Sequence, residues 1–186
     1  MVRIIAGTAR GRKLETPEGL DTRPTLDRVK EAAFGSLQFD VPYSRVLDLF
    51  SGSGNLGLEA VSRGASFAVL NDHSPACADM IRRNAETLGF SDRVRVLNRD
   101  WLAAIDLLSR EGERFDIVFL DAPYRDGTAQ LACEELFRRG MVREGGTVLL
   151  EFGTEVLEPH AVLGLMRIRK CKRYGKCGFA LLEGDV

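Results

Sequence analysis

Apolar and polar positions along this chain fall into short blocks that switch between two periods. Compact apolar runs at residues 46–50, 67–70, 94–97, 115–120 and 147–150 have the pattern of strands buried on both faces. Between them, residues 56–63, 75–88, 101–110 and 128–139 read as helices, and Cys77, Met80, Ile81, Asn84 and Leu88 form one helical stripe. Strand, helix, strand repeated in this way predicts a doubly wound α/β fold, a mostly parallel sheet covered on both faces. After Gly164 the pattern changes to two strand-like segments, 165–174 and 179–182, joined through a Gly-containing turn. They predict an antiparallel hairpin that completes a seven-stranded sheet.

Upstream, Leu26, Val29, Ala33 and Leu37 recur at helical spacing behind Thr25, a fair N-cap, and predict a helix over 26–37. Residues 3–23 are rich in Gly, Arg, Lys and Thr and read as an extended or hairpin-like surface segment, not a core element. No repeat, low-complexity tract or interdomain linker interrupts the chain. The expectation is one domain, 1–186, with an N-terminal extension over 1–37 and a core over 45–186.

Composition agrees: 186 residues, 45% hydrophobic and 28% charged, suit one globular domain with a real core. The chain shows no long apolar run, signal-like region or lipidation motif, so the expectation is a cytoplasmic soluble protein with no membrane partner. Its four cysteines are scattered without C-x-x-C spacing and its two histidines are far apart, so neither a zinc site nor any other metal is expected. The net charge of −1 conceals an uneven distribution, with basic residues concentrated near both ends.

Candidate chemistry begins at Asp48-Leu-Phe-Ser-Gly-Ser-Gly-Asn-Leu-Gly57, where the first sheet strand turns into a helix. Gly52 and Gly54 let the backbone approach a ligand closely, so with Phe50 and Ser51 they form a nucleotide-sized cradle. Gly52, Gly54 and Gly57 also satisfy G-x-G-x-x-G, with Asp72 at the distance of a ribose-reading residue, so a dinucleotide is a competing ligand. Asp48 discriminates. A carboxylate there repels a pyrophosphate but suits the ammonium of a methionine moiety, which points to S-adenosylmethionine. Asp72 is placed to accept from both ribose hydroxyls, its plain alternative being a turn residue. Asp100, with Trp101 beside it, is placed to accept from an adenine amino group, and fits equally as the N-cap of the helix that follows.

A second loop, Asp121-Ala122-Pro123-Tyr124, follows directly on an apolar strand. At the carboxyl end of a parallel sheet it should face the glycine turn. An exocyclic amino nitrogen on an aromatic ring is a poor nucleophile. Asp121 and the backbone carbonyl of residue 122 together offer acceptors that aim its lone pair, Tyr124 offers a stacking surface, and Pro123 stiffens the loop. The plain alternative is an Asp-x-Pro turn.

At these residues the sequence resembles the amino-methyltransferases of nucleic acids, whose catalytic loop reads Asp or Asn, Pro, Pro, aromatic. More closely, it resembles the bacterial family that methylates the N2 amino group of one guanine in 16S ribosomal RNA. The resemblance rests on Arg3-Ile-Ile-Ala-Gly7, Arg10-Gly-Arg-Lys-Leu14, Thr16-Pro17, Thr22-Arg-Pro-Thr25, Asp27-Arg28-Val29, Asp48 to Gly54, Gly57-Leu-Glu-Ala60 and Ser62-Arg-Gly-Ala65. It implies a Rossmann-like class I methyltransferase fold, with Asp48 and the glycine turn, Asp72 and Asp100 at the cofactor and Asp121 to Tyr124 at the catalytic loop. It also implies a guanine of 16S RNA as acceptor, within the small subunit or an assembly intermediate. Two departures are visible: Ala122 where the family usually has Pro, and Asn71-Asp72 in place of an apolar residue and Glu.

The basic residues Arg10, Arg12, Lys13 and Arg23, with a second cluster at Arg167, Arg169, Lys170, Lys172, Arg173 and Lys176, are candidates for RNA phosphates. Their plain alternative is a soluble sheet edge. A target base must be unpaired or flipped out to reach the crevice. The competing functions are an adenine-N6 methyltransferase with the same loop chemistry, a nicotinamide-dependent dehydrogenase and a catalytically silent RNA-binding assembly factor. A monomer is expected.

Overall fold

The computed structural model describes residues 2–17, 24–122, 127–153, 162–163, 166–175 and 177–184. In chain order the elements are α1 (Pro24–Ser36), β1 (Arg45–Asp48), α2 (Asn55–Ser62), β2 (Phe67–Asn71), α3 (Pro75–Leu88), β3 (Val94–Leu97), α4 (Trp101–Arg110), β4 (Phe115–Leu120), α5 (Thr128–Arg138), β5 (Val142–Phe152), β6 (Val162–Leu163), β7 (Met166–Tyr174) and β8 (Cys177–Gly184). The strands form one sheet in the order β3-β2-β1-β4-β5-β8-β7-β6. The first five are parallel, and β8 and β7 run antiparallel as the expected hairpin. The two-residue β6 extends the seven expected strands at one edge.

Alternation along the strands divides the core into two layers. Val46, Leu70, Phe119 and Leu149 face α1, α2 and α3, while Leu47, Val69, Val118 and Leu150 face α4 and α5. Connections from β1 lead to β2 on one side and those from β4 lead to β5 on the other, so the winding reverses between β1 and β4. A crevice opens at the carboxyl ends of strands at such a reversal.

Helix α1 begins at Pro24, so Thr25 lies inside the helix and does not cap it. Proline is well suited to a first turn because its missing N–H is not needed there.

The N-terminal segment corrects an expectation. It is hairpin-like, with Ile4 N donating to Arg12 O at 2.9 Å and Leu14 N to Val2 O at 3.0 Å. However, Ile4, Ala9 and Leu14 are buried in the α1–α3 layer, so the segment belongs to the core. Its apolar residues are too sparse to announce this by periodicity, and polar clamps hold it down. Glu59 of α2 accepts from Ile5 N at 2.8 Å and Ala6 N at 3.0 Å. Ser62 Oγ accepts from Ala9 N and donates to Ala6 O. Gly7 sits at φ 84°, and a β-carbon there would lie 1.9 Å from Ser62 O, so only glycine permits the approach.

Glu59 is fully buried and also meets Lys30 Nζ at 2.8 Å and Arg63 Nε at 2.7 Å. Burial pushes its carboxyl pKa upward, but the Lys30 charge and the hydrogen bonds outweigh this and hold it below the ordinary value. Removing one member of such a buried network leaves the rest uncompensated. Glu59→Ala is therefore expected to cost about 3–5 kcal/mol, read as a lower urea midpoint. Glu59→Gln, which keeps one acceptor oxygen, should cost less.

Candidate active site

The glycine turn is built by hydrogen bonds among the residues that the sequence singled out. Ser51 N donates to Asn71 O at 2.9 Å, Ser51 Oγ donates to Asp48 O at 2.7 Å, and Gly54 N closes the turn on Ser51 O at 2.7 Å. Gly54 adopts φ 83°, the left-handed region, directly before α2. Asp72, beyond the end of β2, accepts from Gly52 N at 2.8 Å through Oδ2 and from Ser74 N at 2.9 Å through Oδ1. Asn71 Nδ2 donates to Leu49 O and Arg99 O, tying the turn to the loop after β3. The Asn-Asp pair thus cross-braces three strand ends, a task that an apolar residue at position 71 could not perform.

Asp48 ends β1 and is 1% exposed. Its Oδ2 accepts from Gly57 N at 2.9 Å, whereas its buried Oδ1 has no hydrogen-bond partner among the described residues. Burial raises the Asp48 pKa to about 7, and the nearby Asp121 and Asp72 add to the rise.

Register fixes the position of the second loop. Asp48 pairs with Phe119 across β1 and β4, and Asp121 follows two residues later on the same face. The glycine turn and the start of the Asp121 loop therefore leave adjacent parallel strands. Asp121 lines the crevice with much of its side chain exposed, and partial burial of its carboxyl raises its pKa to about 6. Ala122 is buried in the α4–α5 layer, where its small side chain packs without the ring that proline would bring. Pro123 and Tyr124 lie outside the described residues.

A cavity of about 90 Å³ joins these groups, lined by Lys30, Asp48, Phe50, Asn55, Asp121 and Glu151 among others. Lys30 and Glu151 were not singled out from sequence. Lys30 is a buried cation on α1 that donates to Asn55 Oδ1 at 2.6 Å and Arg3 O at 3.1 Å. Glu151, near the end of β5, is 7% exposed, and burial, with Asp121 and Asp48 nearby, raises its pKa well above the ordinary value. The available signal was a carboxylate between Leu150 and Phe152, interrupting the apolar run that begins at Val148.

Asp100 is exposed and accepts from Leu102 N at 2.9 Å as the N-cap of α4, while Trp101 packs partly buried against the α4–α5 layer. Arg10, Arg12 and Lys13 are exposed on the N-terminal hairpin, with Arg12 Nη2 donating to Thr87 O. On β7, Arg173 is exposed and Arg169 lies 3.6 Å from Asp40. Arg23 and Lys176 lie outside the described residues. A larger cavity, about 300 Å³, opens at the amino ends of β1, β4 and β5 near Tyr43, Asp116 and Arg143, away from the loops at the sheet's carboxyl end. Among the described residues no group of His, Cys, Asp or Glu is arranged to hold a metal ion, and no helix is long and apolar enough to cross a membrane.

Residues 2–183 match the family described as conserved hypothetical protein 95. Ribosomal RNA small subunit methyltransferase D of Escherichia coli is 36% identical over 154 residues, 83% of this chain and 76% of that protein. The solved structure of Escherichia coli yhhF is 34% identical with a TM-score of 0.85, covering 99% of this chain and 98% of that one. The fold also recurs, at 22% identity and a TM-score of 0.70, in the Thermus thermophilus 16S rRNA N2 G1207 methyltransferase bound to AdoMet and guanosine; 90% of this chain and 45% of that one are covered. Fold and site together define a class I S-adenosylmethionine-dependent methyltransferase. Within that class the chain belongs to the conserved hypothetical protein 95 family, which it shares with the small subunit methyltransferase D relatives.

Proposed function

We propose that the chain methylates the exocyclic N2 amino group of a guanine in 16S ribosomal RNA, presented by the small subunit or an assembly intermediate. The observation that carries this reading is the placement of the glycine turn and Asp121 on adjacent strand ends, opening into one cavity.

The residues present fit S-adenosylmethionine. The unpartnered buried Oδ1 of Asp48 is an acceptor waiting for a donor, which the ammonium of the methionine moiety supplies. Each Asp72 oxygen already accepts one backbone N–H and retains a further lone pair for a ribose hydroxyl. Asp100 keeps acceptor capacity beyond its cap for an adenine amino group, with Trp101 beside the ring. When bound, the cofactor supplies an electrophilic methyl group.

Asp121 accepts from the guanine amino group and turns its lone pair toward that methyl carbon, the carbonyl of Ala122 accepts the second amino hydrogen, and Tyr124 stacks on the base. Transfer would break the sulfur–methyl bond and leave S-adenosylhomocysteine, and the methylated nitrogen would then give one proton to the Asp121 carboxylate, which passes it to solvent. Arg10, Arg12, Lys13 and Arg23 in the extension, with Arg169 and Arg173 on β7, neutralise phosphates around the flipped-out base.

The test is transfer of labelled methyl from S-adenosylmethionine to 30S subunits, free 16S RNA and DNA, using RNA from cells lacking the endogenous activity, followed by nucleoside analysis. N2-methylguanosine is the expected product, on RNA only. N6-methyladenosine would overturn the acceptor, and absence of label on every substrate would overturn the enzyme reading.

A further inference from the structure

We infer that Glu151 is a base-reading residue, whose carboxyl accepts a hydrogen bond from the ring N1–H of the same guanine whose amino group Asp121 holds. The inference rests on the guanine reading above and supplies the physical basis for base choice that the loop chemistry alone lacks.

Leu120 and Leu150 are register partners across β4 and β5, and Asp121 and Glu151 each follow one residue later. The two carboxylates therefore leave neighbouring parallel strands side by side. Both line the cavity that Asp48 shares. Glu151 is 7% exposed, and among the described residues no hydrogen bond or ion pair engages it. Its oxygens are not among the atoms sealed from solvent without a partner, so they stay open to a donor entering the cavity. Asp48 and Asp121 repel it, and among the described residues Lys30 is the cation set against them.

A pair of adjacent acceptors matches one feature of guanine. Its Watson–Crick edge carries two neighbouring donors, the N2 amino group and N1–H, one for each carboxyl group. Adenine presents its N6 amino group beside N1, a bare lone pair. An ionised Glu151 facing that lone pair gains no hydrogen bond and remains an unpaired buried charge. Cationic S-adenosylmethionine in the same cavity favours that ionised form. A site built to bind a specific N–H rejects an analogue lacking it far more strongly than shape alone does.

The experiment compares the wild type with Glu151→Leu and Glu151→Gln. Leucine removes the acceptor and the buried charge together; glutamine keeps an acceptor oxygen. Glu151→Leu is expected to lower kcat/KM for N2-methylguanosine formation on 30S subunits by about 10- to 100-fold, the loss of one hydrogen bond to a charged group. Glu151→Gln should recover most of it, and both variants should bind S-adenosylhomocysteine at least as tightly as the wild type and melt no lower.

The second readout is equilibrium binding of guanosine and 2-aminopurine riboside, which keeps the 2-amino group but lacks N1–H, to protein saturated with S-adenosylhomocysteine. The wild type should prefer guanosine, and Glu151→Leu should erase the preference. A leucine variant with wild-type turnover and preference overturns the inference, as does a wild type indifferent to N1–H, while leaving N2-methylguanosine formation intact. Absence of that product from the wild type would instead overturn the guanine reading beneath it.

Discussion

Asp121→Ala is expected to lower turnover by about 100- to 1,000-fold while S-adenosylhomocysteine affinity at pH 7 stays level or improves slightly. The first effect follows from its proposed role. The amino nitrogen of the base is weakly nucleophilic until an acceptor takes one of its hydrogens, and alanine offers none. The second follows from the cluster, because Asp121 raises the pKa of Asp48. Without it, Asp48 ionises more readily and meets the cofactor ammonium at less cost. Single-turnover methyl transfer and calorimetric titration with S-adenosylhomocysteine read the two effects separately. An active alanine variant, or one that has lost cofactor binding, would remove Asp121 from the proposed role.

Asp48→Asn is expected to move stability and binding in opposite directions. Burial lifts the Asp48 pKa from 3.8 to about 7, so between those values the folded chain keeps a proton that the unfolded chain has released. Stability therefore falls as pH rises through that window, by a few kcal/mol for a shift of about three units. Asparagine carries no such penalty. Its melting temperature should exceed the wild type's by several degrees at pH 8, and the gap should close toward pH 4. Affinity for S-adenosylhomocysteine should fall by about 10- to 100-fold, because the charge awaiting the ammonium is gone. In the wild type, binding near pH 7 should release protons, seen as a calorimetric enthalpy that varies with the buffer's ionisation enthalpy. Equal melting temperatures at pH 8, or unchanged affinity, would contradict this account of Asp48.

The parts legible from sequence were those with a local cause. Alternating strand and helix periods predicted the sheet, and Asp48 and Asp121 were visible because each stands where an apolar strand ends and a turn begins. Asp100 was equally legible as a cap. Glu59, Lys30 and Glu151 were not, since each owes its burial to elements far away in the chain. Glu59 lies within a helix buried over most of its surface, and nothing nearby reveals that Ile5, Ala6 and Lys30 converge on it. The N-terminal segment was misjudged for the same reason: its basic, glycine-rich composition describes its outer face, while Ile4, Ala9 and Leu14 determine where it lies.

The clamp on Glu59 and Ser62 sets a lower limit on how far this enzyme could be pared down. Residues 2–17 seat on the same short helix whose first turn carries Asn55 at the cofactor cradle, and Lys30 reaches both. A fragment starting at β1 would strip Glu59 of the Lys30 charge and of the Ile5 and Ala6 donors, leaving it Arg63, and would hydrate the underside of that helix, loosening the cradle from below. Minimal catalytic modules cut from this scaffold should keep the N-terminal hairpin and α1.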